Sequence, residues 1–238
     1  MKRYVILSTN DNPDYEFYIP LATWAWNKIG WDVVVLKPFP LEPYREETIT
    51  QVMRLYAGML KMFEADDLIM TSDADMIPMA DYWNPKPDEI TIYGHDLTNY
   101  IHVPICYIAM NKTNWQKVMN LNSTDIKELM HRDLEPSNAL SSERDKWWGV
   151  DQDIITERLS HHSVTKIDRG TEPGSYLPLG RLDRAGMKYP KEMIDFHAPR
   201  QGWAHIDKIK EALLKSFDEF PEWLDEHVNK YTAYVNER

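Results

Sequence analysis

The sequence predicts an α/β fold: a single domain with a mixed, mainly parallel central sheet flanked by helices, followed by a C-terminal helical tail. Three observations predict it. Strand and helix signals alternate as β-α-β-α-β up to Asp73. The run Trp31-Asp32-Val33-Val34-Val35-Leu36 is β-branched and nearly continuous, as in a parallel strand buried on both faces. Between residues 46 and 63, apolar side chains recur at Ile49, Val52, Met53, Tyr56, Met59, Leu60 and Phe63, the 3–4 spacing of an amphipathic helix.

Each element follows from local chemistry. Residues 4–8 form a short apolar strand that ends in Ser8-Thr9-Asn10-Asp11-Asn12. Residues 20–29 read as a helix carrying Trp24 and Trp26, closed by Gly30. Residues 68–72 are the next strand and deliver Asp73. Residues 89–93 make another, followed by Gly94-His95-Asp96. The apolar run 101–110, broken by Pro104, predicts a strand near a sheet edge. A helix begins at Trp115 and runs to residue 121. Residues 122–146 are polar and contain Pro136, which predicts a variable insertion or loop, and 151–159 are helical. Residues 168–190 hold Gly170, Gly174, Gly180 and Gly186 and read as a long ordered loop or mobile flap. From residue 206 the chain is helical, with Ile206, Ile209, Leu213, Phe217 and Phe220 on one stripe and a break at Pro221. No repeat, low-complexity segment or linker divides the 238 residues.

Composition narrows the function. With 43% hydrophobic residues the chain is globular. Its 38 acidic and 27 basic residues give a net charge of −11, which disfavours a nucleic-acid or anionic-membrane surface. The single cysteine, Cys106, excludes an intramolecular disulfide and fits a reducing compartment, so a cytoplasmic location is expected. The apolar start at residues 4–7 stops at Ser8, short of a signal-peptide core, and no run approaches a membrane span. Asn111-Lys112-Thr113 and Asn122-Ser123-Thr124, formal glycosylation sequons, are read as chance. The 9 Trp and 13 Tyr are either packed core aromatics or, for some, flat faces for bases and sugar rings.

The most informative motif is Asp73-Ala74-Asp75, directly after an apolar strand. Ligands in parallel α/β sheets bind beyond the carboxyl ends of strands. Two carboxylates there suit a hard divalent cation that completes its shell with water and phosphate oxygens. The plainer reading is a pair of strand-end capping aspartates. Asp151-Gln152-Asp153 is a second acidic triplet, after Trp147-Trp148-Gly149, with Asp151 also placed to cap a helix. His161-His162 reads as surface.

In order along the chain, these segments resemble the GT-A glycosyltransferases, enzymes of nucleotide-diphosphate sugars with one Rossmann-like domain. Asp73-Ala74-Asp75 matches their DxD motif in sequence and position. The run 105–111 followed by Trp115 looks like their second central strand and its helix. Residues 148–155 are similar to the Asp-Gln-Asp segment of small retaining galactosyl- and glucosyltransferases, and Asp195-Phe196-His197 to their late metal-binding histidine. After His197 the family often has a Gly and a Lys-Pro-Trp, whereas this chain has Ala198-Pro199-Arg200-Gln201-Gly202-Trp203. The resemblance implies a nucleotide-binding half over 1–110, an acceptor and metal half over 111–205 and a tail over 206–238. It implies transfer of a hexose, with a UDP-sugar as donor and a glycan or other hydroxyl as acceptor, leaning towards retention of configuration. Mn²⁺ or Mg²⁺ would be held by Asp73, Asp75 and His197. Thr9, Asn10, Tyr15, Arg54, Asp73 and Arg200 would bind the donor, with Arg200 in place of the family's lysine. Asp151, Gln152 and Asp153 would serve the chemistry. Arg181, Arg184 and Lys188, on the 168–190 segment, would cover the diphosphate.

Three rivals remain. A haloacid-dehalogenase-like phosphatase uses Asp-x-Asp with the first Asp as nucleophile, but normally near the N-terminus and with later acids that this chain lacks. A sugar-nucleotide pyrophosphorylase needs a glycine-rich loop after the first strand, and residues 8–13 contain no glycine. A non-catalytic carbohydrate- or nucleotide-sugar-binding protein on the same fold is the third.

Overall fold

The computed structural model describes residues 1–94, 96, 102–171, 178–184 and 187–236. Along the chain lie β1 (Arg3–Ser8), α1 (Pro13–Glu16), α2 (Ile19–Lys28), β2 (Asp32–Leu36), α3 (Glu46–Val52), a 3-10 helix over Met53–Met59, β3 (Leu68–Thr71), β4 (Met76–Pro78) and β5 (Thr91–Tyr93). Then follow β6 (Ile108–Asn111), α4 (Lys112–Val118), α5 (Ile126–Leu134), α6 (Arg144–Trp147), α7 (Val150–Leu159), β7 (Thr165–Ile167), β8 (Arg181–Asp183), β9 (Asp195–His197), α8 (Ile206–Phe217) and α9 (Leu224–Asn236).

Among the described residues the central sheet has six strands in the order β2-β1-β3-β6-β5-β7. β6 runs antiparallel to both its neighbours and the remaining pairs are parallel, so the expected mixed, mainly parallel sheet is present. Successive residues of β1 feed opposite cores. Tyr4 and Ile6 pack with α3 and α7 on one face, while Val5 and Leu7 pack with Trp26, Trp31 and Trp83 on the other. Both faces are therefore dry, as a parallel sheet requires. A smaller sheet, β4-β9-β8, stands beside it. The tail closes the far layer: Ile209, Ala212 and Leu213 of α8 bury against Phe17, Tyr18, Leu21 and Ala25. Among the described residues no helix is long and apolar enough to cross a membrane.

Several expectations are corrected. The apolar run after Pro104 is not an edge strand: β6 sits between β3 and β5, and Pro104 lies before it, so the ladder keeps its donors. β2, expected to be buried, is the edge, with Val35 37% exposed. The helix over 46–63 changes to 3-10 winding at Met53. Met53, Arg54, Leu55, Tyr56, Ala57 and Gly58 are all buried there, wedged between α4 and the sheet, so the segment has no solvent face to continue an amphipathic helix. The supposed loop 122–146 contains α5 and α6. Asp125 caps α5 by accepting from Lys127 N at 2.8 Å, and Leu129, Met130 and Leu134 are buried beneath its polar face. Residues 168–190 include β8, so the segment is not simply a loop. Gly174, Gly186 and the rest of 172–177 and 185–186 lie outside the described residues, as do His95 and Ile101. Several of the large aromatics are core: Trp26, Trp31, Trp83, Trp115, Tyr56 and Tyr107 are essentially fully buried.

Candidate active site

The strand order reverses at β1, where β2 and β3 flank it, and the loops after β1 and β3 open a cleft at the carboxyl ends of these strands. Thr9, Asn10 and Tyr15 line it from the β1 side; Arg54, Asp73 and Asp75 line the floor; Asp151, Gln152, Trp148, Arg184 and His197 close it. Sequence-predicted residues from six separate segments thus meet in one place.

The β1 loop is held by short-range hydrogen bonds. Asn10 Oδ1 accepts from Asn12 N at 3.2 Å, Asn12 Oδ1 accepts from Asp14 N at 3.0 Å, and Pro13 starts α1 without needing a donor. Thr9 is buried and its hydroxyl donates to the Asn10 carbonyl at 3.0 Å. Tyr15 follows on α1. Burial, aided by Asp75, pushes its phenol up while Arg200 pulls it back. Arg200 is exposed and lines an adjoining depression with Tyr15, Trp147 and Trp148, not the main cleft.

Arg54 is not a solvated helix arginine. It is buried under the floor and its guanidinium donates to the Ser72 carbonyl at 2.8 Å, to Asp73 Oδ1, and to Asp151 Oδ2 at 2.9 Å. Asp151 Oδ1 also accepts from Gln152 N at 2.9 Å, at the first turn of α7. Burial pushes the Asp151 carboxyl up, against the pull of Arg54. Asp153 is turned away: it is exposed, with His102 Nδ1 at 3.3 Å, and does not line the cleft.

Asp75 reaches the cleft through the small sheet. β4 pairs antiparallel with β9, Met76 opposite His197, and Ala198 N donates to the Asp75 carbonyl at 2.9 Å. This places Asp75 Oδ2 3.7 Å from His197 Nε2. The other ring nitrogen, Nδ1, is 2.9 Å from Asp183 Oδ2. Asp195 accepts from Arg169 at 2.8 Å and Arg181 at 2.9 Å. Burial alone would raise the Asp195 carboxyl; the two guanidiniums overcome it and hold the group far below the usual carboxylate range. Arg181 is therefore committed to the core, whereas Arg184 donates to Asp75 Oδ2 at 3.1 Å inside the cleft and Lys188 is exposed. Burial pushes the Asp75 carboxyl up, partly offset by His197 and Arg184.

A carboxylate oxygen and an imidazole nitrogen that converge in this way suit a divalent cation that takes its remaining ligands from water or substrate. The Arg184 guanidinium on Asp75 shows that positive charge is already favoured there. Asp73 is turned to Arg54, and among the described residues no three acidic, His or Cys side chains form a ready-made metal cluster. Cys106, whose thiol burial pushes up to about 12, has no nucleophilic character here.

Asp183 escaped the sequence reading, as did Glu47, Thr50 and Gln51 of α3, which also line the cleft. A signal existed: Arg181-Leu182-Asp183 and Asp195-Phe196-His197 both read charged-apolar-charged, the period of a strand, in segments too short to pair by inspection.

No protein-family model matches the chain, and no curated protein matches it in sequence. In three dimensions it is similar to a glycosyltransferase involved in the glycosylation of the major capsid of PBCV-1, at 12% identity over 88% of this chain and 98% of that one, with a TM-score of 0.50. It is also similar to the glycosyltransferase GlyE of Streptococcus pneumoniae TIGR4, at 12% identity over 70% of this chain and 45% of that one, with a TM-score of 0.42. The apo form of GlyE gives 10% identity over 99% and 64%, with a TM-score of 0.48. The first likeness, nearly complete in both directions, shows that the chain has a glycosyltransferase fold.

Proposed function

We propose that this protein is a metal-dependent hexosyltransferase that moves a sugar from a nucleotide diphosphate, UDP in our reading, to a hydroxyl of a glycan or other acceptor with retention of configuration. One observation carries the reading. A single cleft at the β1–β3 switch point gathers a polar nucleotide-side loop, the Asp73-Ala74-Asp75 carboxylates, His197 and the start of α7.

Thr9 and Asn10 offer hydroxyl and amide groups to a base and ribose, and Tyr15 a ring face. Arg184, on Asp75 in the cleft, and Arg200, in the adjoining depression beside Tyr15, would offer positive charge to the diphosphate. Asp75 and His197 would hold Mn²⁺ or Mg²⁺, with Asp73 beside them. When bound, the ion stabilises the negative charge that develops on the departing diphosphate. Asp73 and Asp151, held in place by Arg54, offer acceptors to sugar hydroxyls, and Gln152 adds an amide. Asp151 already accepts from Arg54 and from Gln152 N, one bond to each oxygen. It is thereby fitted to orient and to supply negative potential beside an oxocarbenium-like sugar rather than to remove a proton, which favours the retaining reading. Trp148, 38% exposed at the rim, offers a flat apolar face to the acceptor.

The test is incubation with UDP-hexoses with and without Mn²⁺, following UDP release and transfer, with NMR of the fresh product. Mn²⁺-dependent release with the donor's anomeric configuration kept is the expected result. An inverted product overturns retention. Hydrolysis of phosphate monoesters without nucleotide-sugar turnover indicates the phosphatase, and Mn²⁺-dependent binding without turnover indicates the non-catalytic binder.

A further inference from the structure

β8 and β9 run parallel with Arg181 opposite Asp195 and Asp183 opposite His197. Side chains two apart on a strand share a face, so this register sets the Arg181–Asp195 ion pair beside the Asp183–His197 hydrogen-bonded pair. A slip of one residue would set Leu182 against His197 instead. The first pair is locked by Arg169, whose guanidinium also donates to the Leu179 carbonyl at 2.6 Å and whose N–H donates to Asp96 at 3.1 Å. The second pair is then held in place by the first. Asp183 is buried and His197 is half-buried, and the imidazole lies between Asp183 at Nδ1 and Asp75 at Nε2.

A carboxylate of Asp183 accepts, so Nδ1 of the neutral ring must donate. That leaves the lone pair on Nε2, the atom that faces Asp75. We propose that Asp183 is a positioning residue: it fixes His197 in the Nδ1–H tautomer and in the ring orientation that turns the Nε2 lone pair into the cleft. The proposal rests on the reading that a divalent cation is held by Asp75 and His197. Asp183 touches neither cation nor substrate; it acts through His197, because a ring flip or the other tautomer would forfeit a charge-assisted hydrogen bond.

The decisive measurement needs no metal. Long-range ¹H–¹⁵N correlation on metal-free protein, with the ring in its neutral form, should show Nδ1 of His197 protonated and Nε2 bare. A protonated Nε2 in the wild-type protein overturns the proposal. Asp183→Ala should move His197 towards the Nε2–H tautomer and weaken calorimetric binding of Mn²⁺ with UDP by about 10–100-fold. Asp183→Asn, which keeps an acceptor oxygen, should recover part of both. Unchanged Mn²⁺–UDP binding in Asp183→Ala overturns the positioning role alone. Failure of the wild-type protein to bind Mn²⁺–UDP overturns the cation reading itself. Should Asp183→Ala not fold, the wild-type tautomer still decides.

Discussion

Arg54 and Asp151 lie 97 residues apart in the chain and meet in a buried hydrogen bond of 2.9 Å from guanidinium to carboxylate. The same guanidinium holds Asp73 and the carbonyl of Ser72, so one side chain ties the end of β3 to the start of α7. The floor of the cleft is a single ionic unit of one guanidinium and two carboxylates: removal of its cation leaves both carboxylates without their counter-ion.

Arg54→Ala should therefore destabilise the protein by about 3–5 kcal/mol, the usual consequence of breaking a buried ion pair. Arg54→Lys keeps the charge but cannot fork across two carboxylates and a carbonyl, and should restore stability only in part. Urea unfolding measures both, and an Arg54→Ala midpoint equal to wild type would refute the account.

Asp75→Asn separates function from stability. Burial pushes this carboxyl up, so the folded state disfavours its ionised form at neutral pH. The metal-free variant should melt no lower than wild type. Binding of Mn²⁺ with UDP, read by calorimetry, should fall by at least about tenfold. Full-strength binding in the variant would place the cation elsewhere.

Asp133 gives a pH-dependent prediction away from the cleft. Burial alone would raise its carboxyl, but hydrogen bonds from Arg132 at 2.7 Å, Tyr56 at 2.7 Å and Arg158 at 2.6 Å outweigh it and the net direction is down. A lowered folded-state pKa adds stability above the unfolded carboxylate value of about 3.9, and this stability is lost as pH falls through the folded value. Asp133→Asn should cost about 2–3 kcal/mol at neutral pH. The gap to wild type should hold down to about pH 5 and close below about pH 4. A gap that widens on acidification contradicts the assignment.

Gly202 tests packing of the segment after β9 against Phe17 and Tyr18, between α1 and α2. A β-carbon there would run into the Tyr18 hydroxyl, which donates to the Pro199 carbonyl, and into the Phe17 ring. Gly202→Ala should cost about 1–3 kcal/mol in urea unfolding, as overpacking does. A neutral result would mean that residues 199–202 shift freely.

The β-α-β-α-β order of the first half was readable because each element carries its own period: continuous apolar strands, a 3–4 helical stripe, polar residues where strands end. Asp73, Asp75 and Asp151 were readable for the same reason, since a strand end and a helix start are local features. β4, β8 and β9 were not, because a three-residue strand has too few positions to show a period. Nor could local pattern distinguish edge from centre, which is why β2 and β6 exchange the burial expected of them.

The sequence by itself determined which chemistry is present: carboxylates at a strand end, a histidine beyond a short apolar segment, an arginine on the helix before β3. The tertiary structure decided what each group faces. Arg54 is committed to Asp73 and Asp151, Asp195 to two arginines, His197 to Asp183 and Asp75, while Asp153 is turned out to His102. The physical reason is range. Secondary-structure periods are set by neighbours a few residues away, whereas a buried charge takes its partner from whichever strand the sheet register brings alongside, here from 14 to 122 residues distant in the chain.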